Sequence, residues 1–386
     1  MNLNHVREAF IALYGAGPLS SFHSPGRINL IGEHVDYNGG TVFPAALTLG
    51  TVAVARKRPD TRLRLASASF GGEVITLDLD SVAYNREHHW VNYPLGVIDE
   101  FQKLGIDLGG LDILIASDLP SDAGLSSSAS IELLMSVILN TFFDCKLPMI
   151  EMVKLSQRAE NRFVGVNCGI MDQFAIGMGK KDMGMLLNCT DLACEYIPVL
   201  LDEYSLVIGN TNSPRGLADS KYNERRAECD KALAMLAPAL DITRLGDMSP
   251  EAFEANRHLI TDPTISKRAE HVIYEIKRTK EAAERLSMGD LEAFGRLMND
   301  SHDSLANLYE VTGPALDTMV AAARKQAGVL GSRMTGAGFG GCTLSLVQQA
   351  HIGTFVQQVG REYREKTGAQ ADFYIAGIGD GTREVG

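Results

Sequence analysis

Nowhere in the 386 residues does an apolar run approach the ~20 positions that a membrane helix needs, so no membrane partner is expected. The first residues, MNLNHVREAF, lack a basic segment followed by an apolar one, so no secretion signal is expected and a cytoplasmic location is. Positive charge is in deficit: 36 Lys and Arg face 48 Asp and Glu, a net −12. That balance disfavours nucleic acid and anionic lipid as partners, and any phosphate ligand then needs a local device. Cysteine is scarce. Its six positions include one C-x4-C, Cys189 to Cys194, with no second pair to complete a zinc site. Without a secretion signal the six read as reduced thiols. The nucleotide loop G-x4-G-K-[ST] is missing, as are G-x-S-x-G and H-E-x-x-H. With 45% hydrophobic and 22% charged residues the chain still has ample apolar mass to fold, which excludes a disordered protein.

What is present divides in texture near residue 200. Before it, alternating or β-branched segments at 51–55, 62–66 and 73–77 predict strands, Asn38-Gly39 predicts a hairpin, and short connections predict antiparallel pairing. A further strand is expected over 111–116, then a buried helix over 131–143, apolar on nearly every face. After residue 200, helical patterns cover 220–236, 266–286, 290–309 and 314–326. Strands are expected again at 341–347 and 372–378, with a helix near 352–367 between them. The chain reads as two α+β domains, 1–200 and 201–386.

Five constellations carry chemistry. Ser121 to Ser130, with Gly124 and five of its serines, lies between a strand and the buried helix. Free N–H groups, small hydroxyls and the helix dipole there suit an anion, while serine is also a common helix cap. Arg27 precedes Glu33, His34, Asp36 and Asn38 around one turn, a donor–acceptor set suited to a polyhydroxylated ligand, though Asp36 and Asn38 also suit a plain turn. Glu160 falls on the apolar face of its helix, where it needs either a hard cation such as Mg²⁺ or an ion-pair partner. Asp172 stands among apolar neighbours after Gly169, as a candidate base or as a helix N-terminal carboxylate. Gly336, Gly338 and Gly341 form a formal G-x-G-x-x-G, but a strand rather than a helix is expected after it, which argues against dinucleotide binding.

Together these segments resemble the GHMP kinases, the family that includes homoserine and mevalonate kinases. Pro25 to Asn38 is similar to the sugar signature of that family, Gly124 to Ser130 to its phosphate loop, and Gly336 to Cys342 to its third motif; Asn210 to Asn212 and Lys221 to Arg226 also match. The resemblance implies a two-domain GHMP kinase fold with mixed and antiparallel sheets and the active site in the cleft between domains. It implies an ATP- and Mg²⁺-dependent transfer to the anomeric hydroxyl of α-D-galactose by a monomeric enzyme of galactose catabolism. By the same resemblance Glu33, His34, Asp36, Gly169, Asp172 and Tyr222 hold the sugar. Asp172 is the base and Arg27 the stabiliser of the transferring phosphoryl. Asp122, Ala123, Gly124, Leu125, Ser126, Ser127 and Ser128 line the ATP phosphates, and Ser128 and Glu160 bind Mg²⁺. Trp90, Asn92 and Tyr93 resemble a nucleotide-side segment. The family loop carries Gly where this chain has Asp122, a side chain expected to face solvent. A GHMP kinase for N-acetylgalactosamine, arabinose or galacturonate, or a catalytically silent galactose- and ATP-binding regulator, remains the alternative.

Overall fold

The computed structural model describes residues 2–120, 124–213 and 218–385. Its first half runs α1 (Leu3–Tyr14), β1 (Ser20–Asn29), β2 (Thr41–Val42), β3 (Pro44–Lys57), β4 (Arg62–Ser67), β5 (Ile75–Asp78), α2 (Asn92–Lys103), β6 (Leu111–Ser117), α3 (Ser127–Phe142), α4 (Met149–Ala159), α5 (Met171–Met178), β7 (Met183–Asn188) and β8 (Cys194–Pro198). The second runs β9 (Tyr204–Asn210), α6 (Ala218–Leu236), α7 (Pro250–Asn256), α8 (Pro263–Ser287), α9 (Leu291–Ser304), α10 (Gly313–Ala323), β10 (Val329–Thr335), β11 (Cys342–Gln348), α11 (Ile352–Thr367), β12 (Asp372–Ala376) and β13 (Arg383–Val385).

Among the described residues the strands form sheets ordered β13-β1-β3-β6-β4-β5, β10-β11-β9-β12 and β2-β7-β8. Period-two alternation explains how the first sheet is covered on both faces. Val52 and Val54 of β3 join Val6, Phe10 and Tyr14 of α1 on one side. Ala53 and Ala55 join the cluster under α2–α5 on the other. The second sheet repeats this: Leu206 and Ile208 face one cluster, Val207 the other. Helix α3 is buried on nearly all sides, as its apolar sequence requires, and rests on β1 and β3.

Three features depart from the sequence reading. Asn38-Gly39 makes no hairpin; Asp36–Asn38 is a 3₁₀ turn closed by left-handed Gly39 (φ 73°). Strands β4 and β5 pair antiparallel as expected, but β3 and β4, joined by a short connection, are not neighbours: β6 lies between them, antiparallel to β3 and parallel to β4, because α2 and its approach carry the chain back across the sheet. The division near residue 200 is also crossed: β13, from the C-terminus, returns to pair antiparallel with β1.

The halves are locked by buried charge. Arg333 of β10 is fully buried, with Nη2 donating to Glu33 Oε2 at 2.6 Å and Nη1 donating to the Asn29 carbonyl at 3.1 Å. Asn29 Nδ2 and the Gly336 N–H also donate to Glu33, at 2.7 and 2.8 Å. Burial pushes the Glu33 carboxyl up, and Arg333 and these donors pull against it. Removing the guanidinium strands a buried carboxylate. Arg333→Met is expected to lose about 3–5 kcal/mol in urea unfolding. Without the guanidinium the buried Glu33 carboxyl takes up a proton more readily still, so that loss is largest at alkaline pH and shrinks as pH falls. A loss under ~1 kcal/mol, or one independent of pH, would contradict this role for the pair.

Candidate active site

Where the two halves meet, a cavity of about 580 Å³ is lined by Arg27, Glu33, His34 and Asp36 from the first motif, Gly124 and Ser126–Ser128 from the second, Glu160, Cys168, Gly169 and Asp172, and Tyr222, Gly336 and Ala337 from the second half. Asp122 and Ala123 lie outside the described residues; Leu125 is fully buried beneath the loop.

The loop into α3 is shaped by backbone. Gly124 and Ser126 are both left-handed (φ 77° and 62°), which turns the chain sharply into the helix. Ser126 does not cap α3. Its hydroxyl donates to Asp172 Oδ2 instead. The first backbone N–H groups of α3 therefore lack the acceptor a serine cap supplies.

Asp172 occupies the first turn of α5 and faces Arg27 of β1. Arg27 Nε donates to Oδ1 and Nη2 to Oδ2, both at 2.7 Å, a bidentate fork. Its remaining arm, Nη1, donates to the Gly124 carbonyl at 2.7 Å. One guanidinium thus ties the acid to the serine loop. Gly336 closes the same corner: a Cβ there would press on the Gly124 carbonyl, and its φ of 86° already requires glycine.

Asp36 lines the same cavity. Burial, then the nearby Asp172 charge, pushes its carboxyl up to about 6. A Cβ on Gly169 would run into that carboxylate, which is why the wall needs glycine there. His34 is held differently from the expectation. Its Nε2 lies 3.0 Å from the Ala337 carbonyl and Nδ1 2.8 Å from the Tyr37 hydroxyl. Burial lowers the imidazole to about 3, so it is neutral, Nε2–H donates to Ala337, and Nδ1 accepts from Tyr37. Tyr37 in turn bonds Tyr309 at 2.8 Å, and Tyr309 bonds Cys229 at 3.0 Å. A ligand hydroxyl reaching a His34 nitrogen would have to displace Tyr37 or Ala337. Tyr222 packs its ring against His34 and Tyr37, with centroids 5.6 and 5.3 Å away. Glu33 lines the cavity, but its Oε2 is filled by Asn29 and Arg333, leaving one lone pair of Oε1 beside Gly336.

The expected metal side holds Glu160, the first residue of a π turn (Glu160–Val164) that follows α4. Such turns re-aim side chains and recur at functional sites. Glu160 Oε2 accepts from Gln173 Nε2 at 2.6 Å, and Ser128 also bonds the carboxylate. Burial, then Asp172, raises it to about 7. Beneath lies a residue that reading the sequence missed. Glu132 of α3 is fully buried and accepts from the same Gln173 amide at 3.0 Å. Its one sequence signal is a lone carboxylate in an apolar helix, four residues after Ser128. Among the described residues, no group of three or more His, Cys, Asp or Glu is arranged to enclose a metal. At the mouth of the cavity Phe70 stacks on Trp90, with centroids 6.0 Å apart and planes 14° apart, and Tyr93 stands nearby. The third glycine motif joins β10 to β11, so a strand follows it and the dinucleotide reading is excluded.

Comparison with known proteins gives a consistent result. The family described as the galactokinase galactose-binding signature matches residues 8–57. The GHMP kinases N terminal domain matches 92–180 and the GHMP kinases C terminal matches 276–365. The galactokinase of Clostridium beijerinckii is 50% identical over 387 aligned residues, covering 100% of both chains. That of Bacillus subtilis is 52% identical over 383, covering 98% of each. The crystal structure of Lactococcus lactis galactokinase complexed with galactose is similar with a TM-score of 0.97 at 48% identity, over 99% of this chain and 100% of that one. A mevalonate kinase, at 19% identity and a TM-score of 0.62 over 94% of this chain and 100% of that one, shares the fold alone.

Proposed function

The chain belongs to the galactokinase family of the GHMP kinases, and from that premise we propose that its cavity transfers the γ-phosphoryl group of ATP to the anomeric hydroxyl of α-D-galactose, giving α-D-galactose 1-phosphate and ADP. The observation that carries the reading is the Arg27–Asp172 fork, which shares one cavity with the serine loop and with Asp36 and Tyr222.

At the sugar end, Asp36, Tyr222 and the open lone pair of Glu33 present hydroxyl partners, while His34 and Gly169 shape the wall. Asp172 Oδ1 keeps one lone pair after the bond from Arg27 Nε, enough to accept from the anomeric O–H. In the transfer, the bond from that oxygen to the γ-phosphorus forms and the bond from phosphorus to the β-phosphate oxygen breaks. The hydroxyl proton passes to Asp172, and ADP leaves with the electron pair. Such a transfer asks for in-line placement and charge neutralisation more than covalent chemistry. Arg27 borders both the acid and the loop, where it can meet the charge of the moving phosphoryl.

At the nucleotide end, the loop and the first N–H groups of α3 suit the phosphates, and the Phe70–Trp90 stack offers the base an aromatic face. Arg27 is the one arginine or lysine among the described lining residues, against Glu33, Asp36, Glu160 and Asp172. A triphosphate entering that field needs to bring a cation. The oxygen donors of Ser128 and Glu160 fit Mg²⁺, which takes one or two carboxylates with phosphate and water. When bound, the ion would supply charge neutralisation at the β- and γ-phosphates. Both halves of a single chain line the cavity, and a monomer is the proposed working unit. None of the six cysteines forms a disulfide, in keeping with a cytoplasmic setting.

Asp172→Asn is expected to stay folded with a lowered melting temperature, because one arm of Arg27 loses its acceptor, and to lose at least ~100-fold in kcat, the lower range for a positioned acid–base group. Near-normal turnover would refute Asp172 as the base. Asp36 adds a pH signature. Its ionised form accepts a sugar hydroxyl, and its carboxyl titrates at about 6. The galactose KM is therefore expected to rise by up to about tenfold per pH unit below that value. Asp36→Asn should flatten the profile while raising KM throughout; a wild-type KM unchanged between pH 7 and pH 5 would contradict the contact.

A further inference from the structure

Three catalytic elements meet at one buried amide. Gln173 directly follows Asp172 on α5 and is fully buried. Its Nε2 donates to Glu160 Oε2 at 2.6 Å, on the π turn, and to Glu132 Oε2 at 3.0 Å, on α3. Glu132 lies one turn beyond Ser128 on α3, so the two share a face. Ser128 itself bonds Glu160. The phosphate-loop helix therefore grips Glu160 twice, once directly and once through the amide.

This arrangement is poorly explained as packing. Glu132 Oε1 and Gln173 Oε1 are buried without a hydrogen-bond partner. Around them α3 buries mostly apolar residues, Ala129, Leu133, Leu134, Met135 and Val137, and its buried Ser130 and Ser136 both have hydrogen-bond partners. An apolar side chain at position 132 would fill the space without stranding an acceptor, and a partly satisfied polar network is worse for a core than none. Unsatisfied polar groups retained in a core mark sites where function opposes stability.

We propose that Glu132 and Gln173 are positioning residues for phosphoryl transfer: through the shared amide they hold the Glu160 carboxylate at a set height against Ser128 and Asp172, and so set the metal-facing oxygens relative to the base. The inference rests on the reading of Ser128 and Glu160 as the Mg²⁺ site. Neither Glu132 nor Gln173 is among the residues that line the cavity. Their removal should therefore act on metal and turnover and leave galactose binding alone.

The test titrates MgCl₂ into the full chain at fixed ADP and follows calorimetric binding and melting temperature, with galactose binding measured in parallel. Glu160→Gln comes first. If it leaves the Mg²⁺ half-saturation unchanged, the metal reading fails and this inference with it. If it weakens Mg²⁺ as expected, Glu132→Leu should raise the half-saturation at least ~10-fold and lower kcat by a similar factor, with the galactose Kd within ~2-fold of wild type. Glu132→Gln should regain the greater part of both losses. Its amide oxygen accepts from Gln173 Nε2, and its NH₂ supplies the partner that Gln173 Oε1 lacks. Should Glu132→Leu not fold, Gln173→Met interrupts the same bridge from α5 and should give the same split. Wild-type Mg²⁺ dependence in a folded Glu132→Leu or Gln173→Met, or a Glu132→Gln variant as impaired as Glu132→Leu, overturns the proposal while leaving Glu160 as a metal ligand.

Discussion

The Arg27–Asp172 fork is the interaction on which the site depends. Both bonds of the fork are 2.7 Å, and the third arm of the guanidinium reaches the Gly124 carbonyl. Strand β1, the serine loop and helix α5 therefore share one reference point. A planar guanidinium does this where an ammonium could not, because its donors leave in fixed directions and satisfy the two carboxylate oxygens together. Ser126, freed from capping α3 by its left-handed backbone, adds a further donor to Asp172.

A second constraint is electrostatic. Four carboxylates and one guanidinium line the cavity among the described residues, and Glu132 lies beneath them. Burial and mutual repulsion raise the carboxyls of Asp36 and Glu160 to about 6 and about 7. Carboxylates so placed favour a cation. The protein meets part of this demand from far away in sequence. Arg333 neutralises Glu33 from 300 positions distant and joins the halves by the same contact. A neutral His34, with both nitrogens occupied, borders the site without adding charge. The His34 side of the cavity and the interface between halves are in this sense a single hydrogen-bonded structure, running from Cys229 through Tyr309, Tyr37 and His34 to Ala337.

Much of this was legible in the sequence where physics is local. The alternation in β3 and the all-round apolarity of α3 both placed their elements, and the five constellations of charge, glycine and serine do converge on one cavity. Local signals failed where a distant partner decided the outcome. Asn38-Gly39 has the composition of a hairpin, but Gly39 is held by Thr190 and packs against Gly246, and the segment becomes a 3₁₀ turn. No spacing rule connects Glu33 to Arg333, or brings β13 back to β1. Glu132 escaped notice because an apolar helix absorbs one carboxylate without disturbing its pattern; only the three-dimensional meeting with Gln173 and Glu160 gives it meaning.

The central claim, that the fork directs a phosphoryl group to one particular sugar oxygen, is tested most directly by the identity of the product. Purified protein is incubated with galactose, ATP and MgCl₂, and the mixture is followed by ³¹P and ¹H NMR. The account predicts equimolar ADP and a single sugar phosphate whose phosphorus couples to the anomeric proton of the α form. Phosphate on any other hydroxyl, ADP formed without a sugar phosphate, or binding of both ligands with no turnover would contradict it.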